Sequence, residues 1–316
     1  MSEPQQTHSS PALPTPQPQS PEVAATHPIA PQLPDIVPIL PPEHWANQDG
    51  GDNDHDLRVD DSDAGSPGAI ESSILKYRTL HGRRFHSKIG GAQYWASNDE
   101  RQTESLDLLD FADKFPECEV TGTDISPIQP TWVPPNLRFF DFIHIRYLVG
   151  SISDWTAFFK EAYSALEPGG YLESYEASPR VYSDDYIIPP TSATEQWGSL
   201  FIDSGRKIGR SFDIVEDNTQ NRAMEEAGFV DIEERWVKIP VGAWPKDPAL
   251  KRIGTIARYA IERDIEGFIA FVSSVQGWTE EEVMVYAAHL RRELHLQKYH
   301  AWYWQKVVWG RKPVVS

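Results

Sequence analysis

Asp124 is the residue whose type and position most directly indicate chemistry, because it closes a short segment rich in β-branched residues, 119–124. A strand that ends in an acidic residue is typical of a nucleotide-type cofactor site, since the carboxylate can accept hydrogen bonds from both ribose hydroxyls. The adjacent Gly122, Ile125 and Ser126 are predicted to lie against the same ligand. The alternative is an ordinary turn in which the Asp124 side chain caps the residues that follow it.

The glycine-rich turn that such a strand works with is missing from the sequence. In a nucleotide-binding fold this turn lies about twenty residues upstream, where it lets the backbone approach the ligand at a helix N-terminus. No glycine occurs between Gly91 and Gly122. The sequence therefore predicts one half of a cofactor site and lacks the other half.

Cationic and aromatic side chains are interleaved in the segment 77–94 and form a second candidate site. Tyr77, Arg78, Arg84 and Tyr94 are predicted to form a lid over a bound carboxylate or phosphate. The alternative is a solvated basic face that pairs with acidic groups of the same protein, where each pair contributes little to stability.

His144 and Arg146 occupy alternate positions of a predicted strand, so both side chains should point to the same side of a sheet. Near the carboxyl edge of the sheet they would form the rim of an active site, and the alternative is an ordinary satisfied interaction of the core or rim. The aromatic residues of segment 302–309 are interpreted as packing of a terminal strand. No residue stands out as a catalytic base.

The elements that would position these residues alternate between strands and helices, which favours an α/β fold with a mostly parallel sheet and crossover helices. Strand 139–146 is nearly continuously apolar and is expected to be buried. Helix 154–166 has one apolar face and ends before Gly169 and Gly170. The other predicted elements are helices 72–82, 104–115, 218–227, 248–271 and 279–296 and strands 119–124, 171–176, 229–239 and 302–310.

Composition divides the chain into two parts. Residues 1–68 are rich in Pro, Gln, Ser and Asp and cannot bury enough apolar area to offset chain entropy. They are predicted to be a disordered acidic tail, with a docking arm for a partner as the functional alternative. Residues 69–316 are predicted to be one folded domain.

Charge and cysteine content exclude several classes of function. The net charge of −18 opposes general nucleic-acid binding, because an acidic surface repels phosphates. The single cysteine, Cys118, cannot form an intramolecular disulfide, and no cluster has the spacing of a structural zinc site. No apolar run reaches the roughly 18 residues that span a bilayer. We expect a protein of the nucleus or cytoplasm that holds no metal and does not enter a membrane.

Several segments together carry a specific resemblance to the fungal LaeA-like (TAM-domain) group of class I S-adenosylmethionine-dependent methyltransferases, which includes regulators of secondary metabolism. These segments are 73–78, 81–86, 121–130, 132–139, 140–148 and 166–173. The resemblance implies a methyltransferase-like domain over residues 69–316, with a Rossmann-like sheet and S-adenosylmethionine as methyl donor. It further implies a small-molecule or protein acceptor and regulatory protein partners. It maps Asp124 onto the ribose-binding residue of the family.

The sequence departs from the family pattern at two junctions. Segments 101–108 and 110–116 are nearly fused where the family has its first strand and glycine turn, and a second junction lies between Phe139 and Phe140. A missed exon in the gene description and a real truncated paralogue both account for these junctions. The first is favoured, because loss of a central strand would expose apolar faces and unpaired backbone groups at a cost of at least several kcal/mol. A chain that is truncated in this way would act as a catalytically inactive interaction module.

Overall fold

The structure is a computed structural model that describes residues 36–48, 78–85, 94–97 and 140–314. Several residues of the predicted cofactor site and lid lie outside these ranges, as do most of residues 1–68, both junctions up to Phe139, helix 104–115 and strand 119–124. The site residues concerned are Tyr77, Gly122, Asp124, Ile125 and Ser126. The structure therefore bears on the second half of the predicted fold.

A four-stranded sheet forms the centre of the described residues. Its strands are β3 (Phe140–Arg146), β4 (Leu166–Ala177), β5 (Val230–Pro240) and β6 (Trp302–Arg311), in the order β3-β4-β6-β5. β3 and β4 are parallel, whereas β6 runs antiparallel to both β4 and β5. The α/β class is confirmed, and the described part of the sheet is mixed rather than mostly parallel because β6 enters it from the opposite end.

Two helices cover one face of this sheet. α2 (Trp155–Ala165) connects β3 to β4, and the carboxylate of Asp154 caps it by accepting from the Ala157 N–H at 2.8 Å. α4 (Thr219–Ala227) ends at Gly228, which is in the left-handed conformation. Both helices confirm the predicted boundaries within two residues. The covered face includes the fully buried side chains of Leu166, Leu172, Ser174 and Val308.

A helical layer lies beside the sheet. It contains α3 (Ala193–Ile208), α5 (Pro248–Arg263), α6 (Ile265–Val275) and α7 (Glu280–His295). α7 confirms the predicted N-cap, because Thr279 and Glu282 form a reciprocal capping box. The single helix predicted for residues 248–271 is wrong: the backbone leaves the helical region at Asp264, whose buried carboxylate binds Arg83. A partner distant in sequence thus breaks a helix that the local periodicity favours.

The N-terminal segments also correct the sequence predictions. Residues 36–48 lie within the predicted tail but are folded: α1 (Pro42–Ala46) places Trp45, 1% exposed, against Tyr286 of α7. The predicted helix 72–82 is wrong for its described part. Residues 78–85 form a hairpin of β1 (Arg78–Leu80) and β2 (Arg83–Phe85), turned at His81 and Gly82, both with positive φ.

β3 is less buried than its apolar sequence predicts. Ile145 is its one buried side chain, whereas Phe142 is 44% exposed. Within the described residues β3 pairs with β4 alone, and the described helices pack against the face that carries Ile145. Phe142, His144 and Arg146 alternate with Ile145 and project from the other face, where Tyr171 on β4 is 40% exposed.

Candidate functional site

The carboxyl ends of the parallel strands β3 and β4 meet at one edge of the sheet, which is where α/β folds bind ligands. The residue that leaves β3, Tyr147, has a φ of 56°. A bulky residue with positive φ is uncommon and is retained when the surrounding contacts enforce it. The backbone turn after β3, residues 147–151, is the first part of the candidate site, which we call the rim loop.

Four hydrogen bonds with side chains hold the backbone of the rim loop in place. The buried carboxyl group of Glu176 on β4 accepts from the N–H groups of Leu148 and Val149 at 3.1 and 2.9 Å. The indole N–H of Trp95 donates to the Val149 carbonyl at 2.6 Å, and the guanidinium of Arg210 donates to the Ser151 carbonyl. Burial raises the pKa of Glu176 to about 8, although the two backbone N–H groups lower it. The loop is thus fixed by a buried acid that the sheet itself presents.

A cluster of tyrosines and one amide lies beside the rim loop. The Tyr175 hydroxyl donates to Oε1 of Gln305, and Nε2 of Gln305 donates to the Tyr147 hydroxyl at 2.9 Å. The rings of Tyr147 and Tyr175 are 5.8 Å apart, and the Arg146 guanidinium lies 5.3 Å from the Tyr147 ring centre. We call Tyr147, Tyr175 and Gln305 the tyrosine cluster.

The tyrosine cluster is built to stay neutral. Burial raises the pKa of Tyr147 and of Tyr175, and Arg146 offsets only part of this effect. Tyr303, on the neighbouring β6, also has a raised pKa because of burial and the two nearby phenols. The hydroxyl groups therefore remain protonated at neutral pH, where they can orient a ligand but cannot act as bases.

A second polar group follows β4 and leads to a groove. Glu216 accepts from the hydroxyls of Ser178 and Tyr182, and its Oε2 is buried without a hydrogen-bond partner among the described residues. Burial raises the pKa of Glu216 to about 7. Arg180 binds Asp213 at 2.8 Å close by.

The groove itself has a volume of about 230 Å³ and lies between the segment after β4 and α3. Its walls include Arg180, Tyr182, Tyr186 and Glu195, and Ile36 also lines it. Burial raises the pKa of Glu195, while Arg180 lowers it. The groove thus combines aromatic rings with one cation and one carboxyl group.

The predicted rim residues lie at this edge, whereas the predicted lid residues are dispersed. His144 contacts Glu173 at 2.8 Å on the exposed face, and Arg146 stacks on Tyr147. Arg78 lies over the ring of Phe271, and Arg84 is exposed on the opposite face of the hairpin. Tyr94 packs against Trp95, which itself binds the rim loop. Of the described lid residues, Tyr94 alone adjoins a residue of the site.

Sequence reasoning missed the residues that build the site. Tyr147, Tyr175, Glu176 and Gln305 come together from three separate segments, and no spacing in the sequence links them. One signal was available: Glu176 and Gln305 are polar residues at positions of strands where alternation predicts burial, and buried polar groups need partners.

Within the described ranges, no group of His, Cys, Asp and Glu side chains could hold a metal ion. None of the helices in these ranges has the length and apolarity that crossing a membrane requires.

The fold is a Rossmann-like α/β fold, and the candidate site lies at the carboxyl edge of its parallel strands. A methyltransferase domain family matches residues 99–234. Methyltransferase pytC of Aspergillus terreus is 33% identical over 297 residues, covering 78% of this chain and 91% of that protein. Secondary metabolism regulator LAE1 of Cochliobolus heterostrophus is 32% identical, covering 61% and 69%. The chain belongs to the LaeA-like family of fungal S-adenosylmethionine-dependent methyltransferases.

Among solved structures, a putative methyltransferase from Bacillus halodurans matches 64% of this chain and 86% of its own length, with a TM-score of 0.30 and 14% identity. The probable methyltransferase tdiE of Emericella nidulans, 30% identical over 64% of this chain, is a further relative. The family assignment depends on the sequence relatives, among which pytC is matched over most of its length.

Proposed function

We propose that this protein binds S-adenosylmethionine at the carboxyl edge of β3 and β4 and directs methyl transfer to an acceptor held in the groove that follows β4. The observation that carries this proposal is the tyrosine cluster, a neutral polar and aromatic site beyond parallel strands in a member of a methyltransferase family. Bound S-adenosylmethionine would supply a methyl group attached to a positively charged sulfur.

The residues of the cluster fit such a donor. Phenol oxygens, an amide oxygen and the faces of aromatic rings all present negative potential, which favours a cation without neutralising it. Methyl transfer by direct displacement mainly requires that donor and acceptor are held in line. The absence of a titrating base from the tyrosine cluster agrees with this requirement, because Tyr147 and Tyr175 keep their protons at neutral pH.

Three parts of the chain would bind the cofactor and the acceptor. Asp124, by family resemblance, would bind the ribose, with Gly122, Ile125 and Ser126 beside it. The tyrosine cluster would orient the sulfonium end, with Arg146 holding the Tyr147 ring. The groove beside Glu195 would receive the acceptor, a small molecule or a protein side chain.

Isothermal titration of the full chain with S-adenosylmethionine tests the proposal. We expect micromolar binding, weakened about tenfold by Tyr147→Phe, which removes the acceptor of the Gln305 N–H and costs about 1.4 kcal/mol. Tyr171→Phe is the matched control, because this exposed tyrosine lies near the middle of β4 and outside the tyrosine cluster. Binding by the unmodified chain that Tyr147→Phe leaves unchanged would remove the cluster from the cofactor site.

The second candidate function is a catalytically inactive interaction module, and two observations favour it. The sequence has no glycine between Gly91 and Gly122. The alignment with pytC is 297 positions long, but it includes only 78% of this 316-residue chain, or about 246 residues. About 50 positions of the alignment therefore have no residue in this chain. A folded sample that gives no heat with S-adenosylmethionine would establish this function over the first. Transcript sequencing across Leu108 and Leu109 would then show whether the coding sequence itself is short.

The cellular role follows as a separate proposal. We propose a protein of the nucleus or cytoplasm that influences secondary metabolism through regulatory protein partners, supported by the relatives described as secondary metabolism regulators. A fluorescent fusion expressed from the native locus tests the compartment. Metabolite profiles of a deletion strain, complemented by the unmodified gene and by its Tyr147→Phe variant, test the role and whether it depends on the cluster.

A further inference from the structure

α5 turns its apolar stripe away from the rest of the described residues. Of its sixteen residues, Gly254 alone is buried. Leu250, Ile253 and Ile256 follow one another at three-residue intervals and are 43%, 40% and 47% exposed. A surface helix normally turns such a stripe toward the core, where its burial stabilises the helix. Here the stripe forms a contiguous exposed surface, which we call the α5 stripe.

Backbone contacts attach α5 to the protein and explain this orientation. Gly254 sits so close to the Gly242 carbonyl that an added Cβ would lie 2.1 Å from its oxygen. The Gly242 N–H donates to the Gly254 carbonyl at 2.8 Å, and Arg291 of α7 donates to the Glu262 carbonyl at 3.3 Å. The helix is thus held by its backbone near the middle and near the end, and by Ile261, which packs against the core, whereas Leu250, Ile253 and Ile256 take no part in this attachment.

The charges around the α5 stripe are mostly positive, in contrast to the rest of the chain. Lys246, Lys251, Arg252 and Arg263 are exposed on or beside α5. Glu262 lies within 3.7 Å of Arg258, and Asp247 caps the helix N-terminus. A local cationic surface on a chain of net charge −18 attracts acidic partners.

We propose that the α5 stripe docks an acidic amphipathic helix of another protein. Apolar side chains of that helix would cover Leu250, Ile253 and Ile256, and acidic side chains at its edges would meet Lys251 and Arg252. A second copy of this chain fits poorly, because two-fold pairing of α5 helices brings the same cationic flanks together. The chain's own acidic run, 49–63, fits poorly because Leu57 and Val59 are its only large apolar residues.

Fluorescence anisotropy with a labelled synthetic peptide tests the proposal on the full chain. The probe is a twenty-residue helix former with one leucine stripe flanked by glutamates, and its counterpart carries lysines in place of the glutamates. We expect micromolar, salt-sensitive binding of the acidic peptide and at least tenfold weaker binding of the basic one. The double variant Leu250→Ser/Ile253→Ser should weaken binding at least tenfold, and so should Lys251→Glu/Arg252→Glu.

The matched control is Met284→Ser, which changes a 51% exposed apolar residue on α7 and should leave binding unaltered. Circular dichroism confirms that each variant is folded. Three results would overturn the proposal: equal binding by the α5 variants and the control, a dimer in light scattering that Ile253→Ser dissociates, or peptide binding that appears only after residues 49–63 are replaced by a Gly/Ser linker. Preference for the basic peptide would overturn it as well.

Discussion

Gly150→Ala should destabilise the protein mainly through one clash. An added Cβ at Gly150 would lie 2.0 Å from Cζ of Phe212, a ring that is 2% exposed and cannot move into solvent. Gly150 also has a φ of 71°, where an L side chain costs about 1–2 kcal/mol. Overpacking of a closed core adds about 1–3 kcal/mol. The expected loss in the free energy of unfolding is therefore about 2–5 kcal/mol.

Gly209→Ala separates the two contributions. Gly209 has nearly the same φ, 70°, but no atom lies within 4 Å of the position its Cβ would take. Urea denaturation of both variants should show Gly209→Ala losing about 1–2 kcal/mol and Gly150→Ala losing clearly more, with unchanged m-values. Phe212→Leu shortens the clashing side chain and should restore part of the stability of Gly150→Ala. Equal losses at the two glycines would refute the clash, and so would additivity of Gly150→Ala with Phe212→Leu.

Three further predictions concern buried side chains. Trp45→Ala should cost about 3–5 kcal/mol in urea denaturation, because the residue is 1% exposed despite its place near the N-terminus; a loss below about 1 kcal/mol would show that the segment is detached in solution. Burial raises the pKa of Glu176 to about 8, so the native state keeps a proton that the unfolded state releases above pH 4.5. The free energy of unfolding of the unmodified protein, relative to that of Glu176→Gln, should therefore fall by about 1.4 kcal/mol per pH unit between pH 4.5 and pH 8. A difference that stays constant from pH 5 to 8 would contradict the raised pKa. Lys306 is fully buried, and its ammonium group binds Glu234 at 3.0 Å. Glu234→Leu leaves that ammonium without its carboxylate and should lower the free energy of unfolding by about 3 kcal/mol, which is more than the loss expected for Lys306→Met. A larger loss for Lys306→Met in thermal unfolding would refute this argument.

The sequence predicted those elements whose ends are determined locally. Asp154, Thr279 and Gly228 mark helix ends through contacts with residues a few positions away, and all three occur as expected. β6 was likewise recognisable from its aromatic and β-branched residues. These signals need no information about the rest of the chain.

The elements that the sequence did not reveal depend on distant contacts. α3 contains glycines at positions 198 and 205, and glycine inside a helix weakens the local helical signal. The break at Asp264 depends on Arg83, 181 residues earlier, and the tyrosine cluster joins β6 to a loop 158 residues before it. The cofactor half of the predicted site, Asp124 and its neighbours, stays a prediction from family resemblance.

The buried position of Trp45 has a consequence for the order in which the chain folds. The main-chain oxygen of Trp45 contacts the ring of His289, 244 residues later, and its indole packs against Tyr286 on the same helix. During synthesis the N-terminal segment emerges first but has no surface to dock on until α7 has left the ribosome. Residues 36–48 should therefore acquire protection from amide hydrogen exchange only after nearly the whole chain has been made.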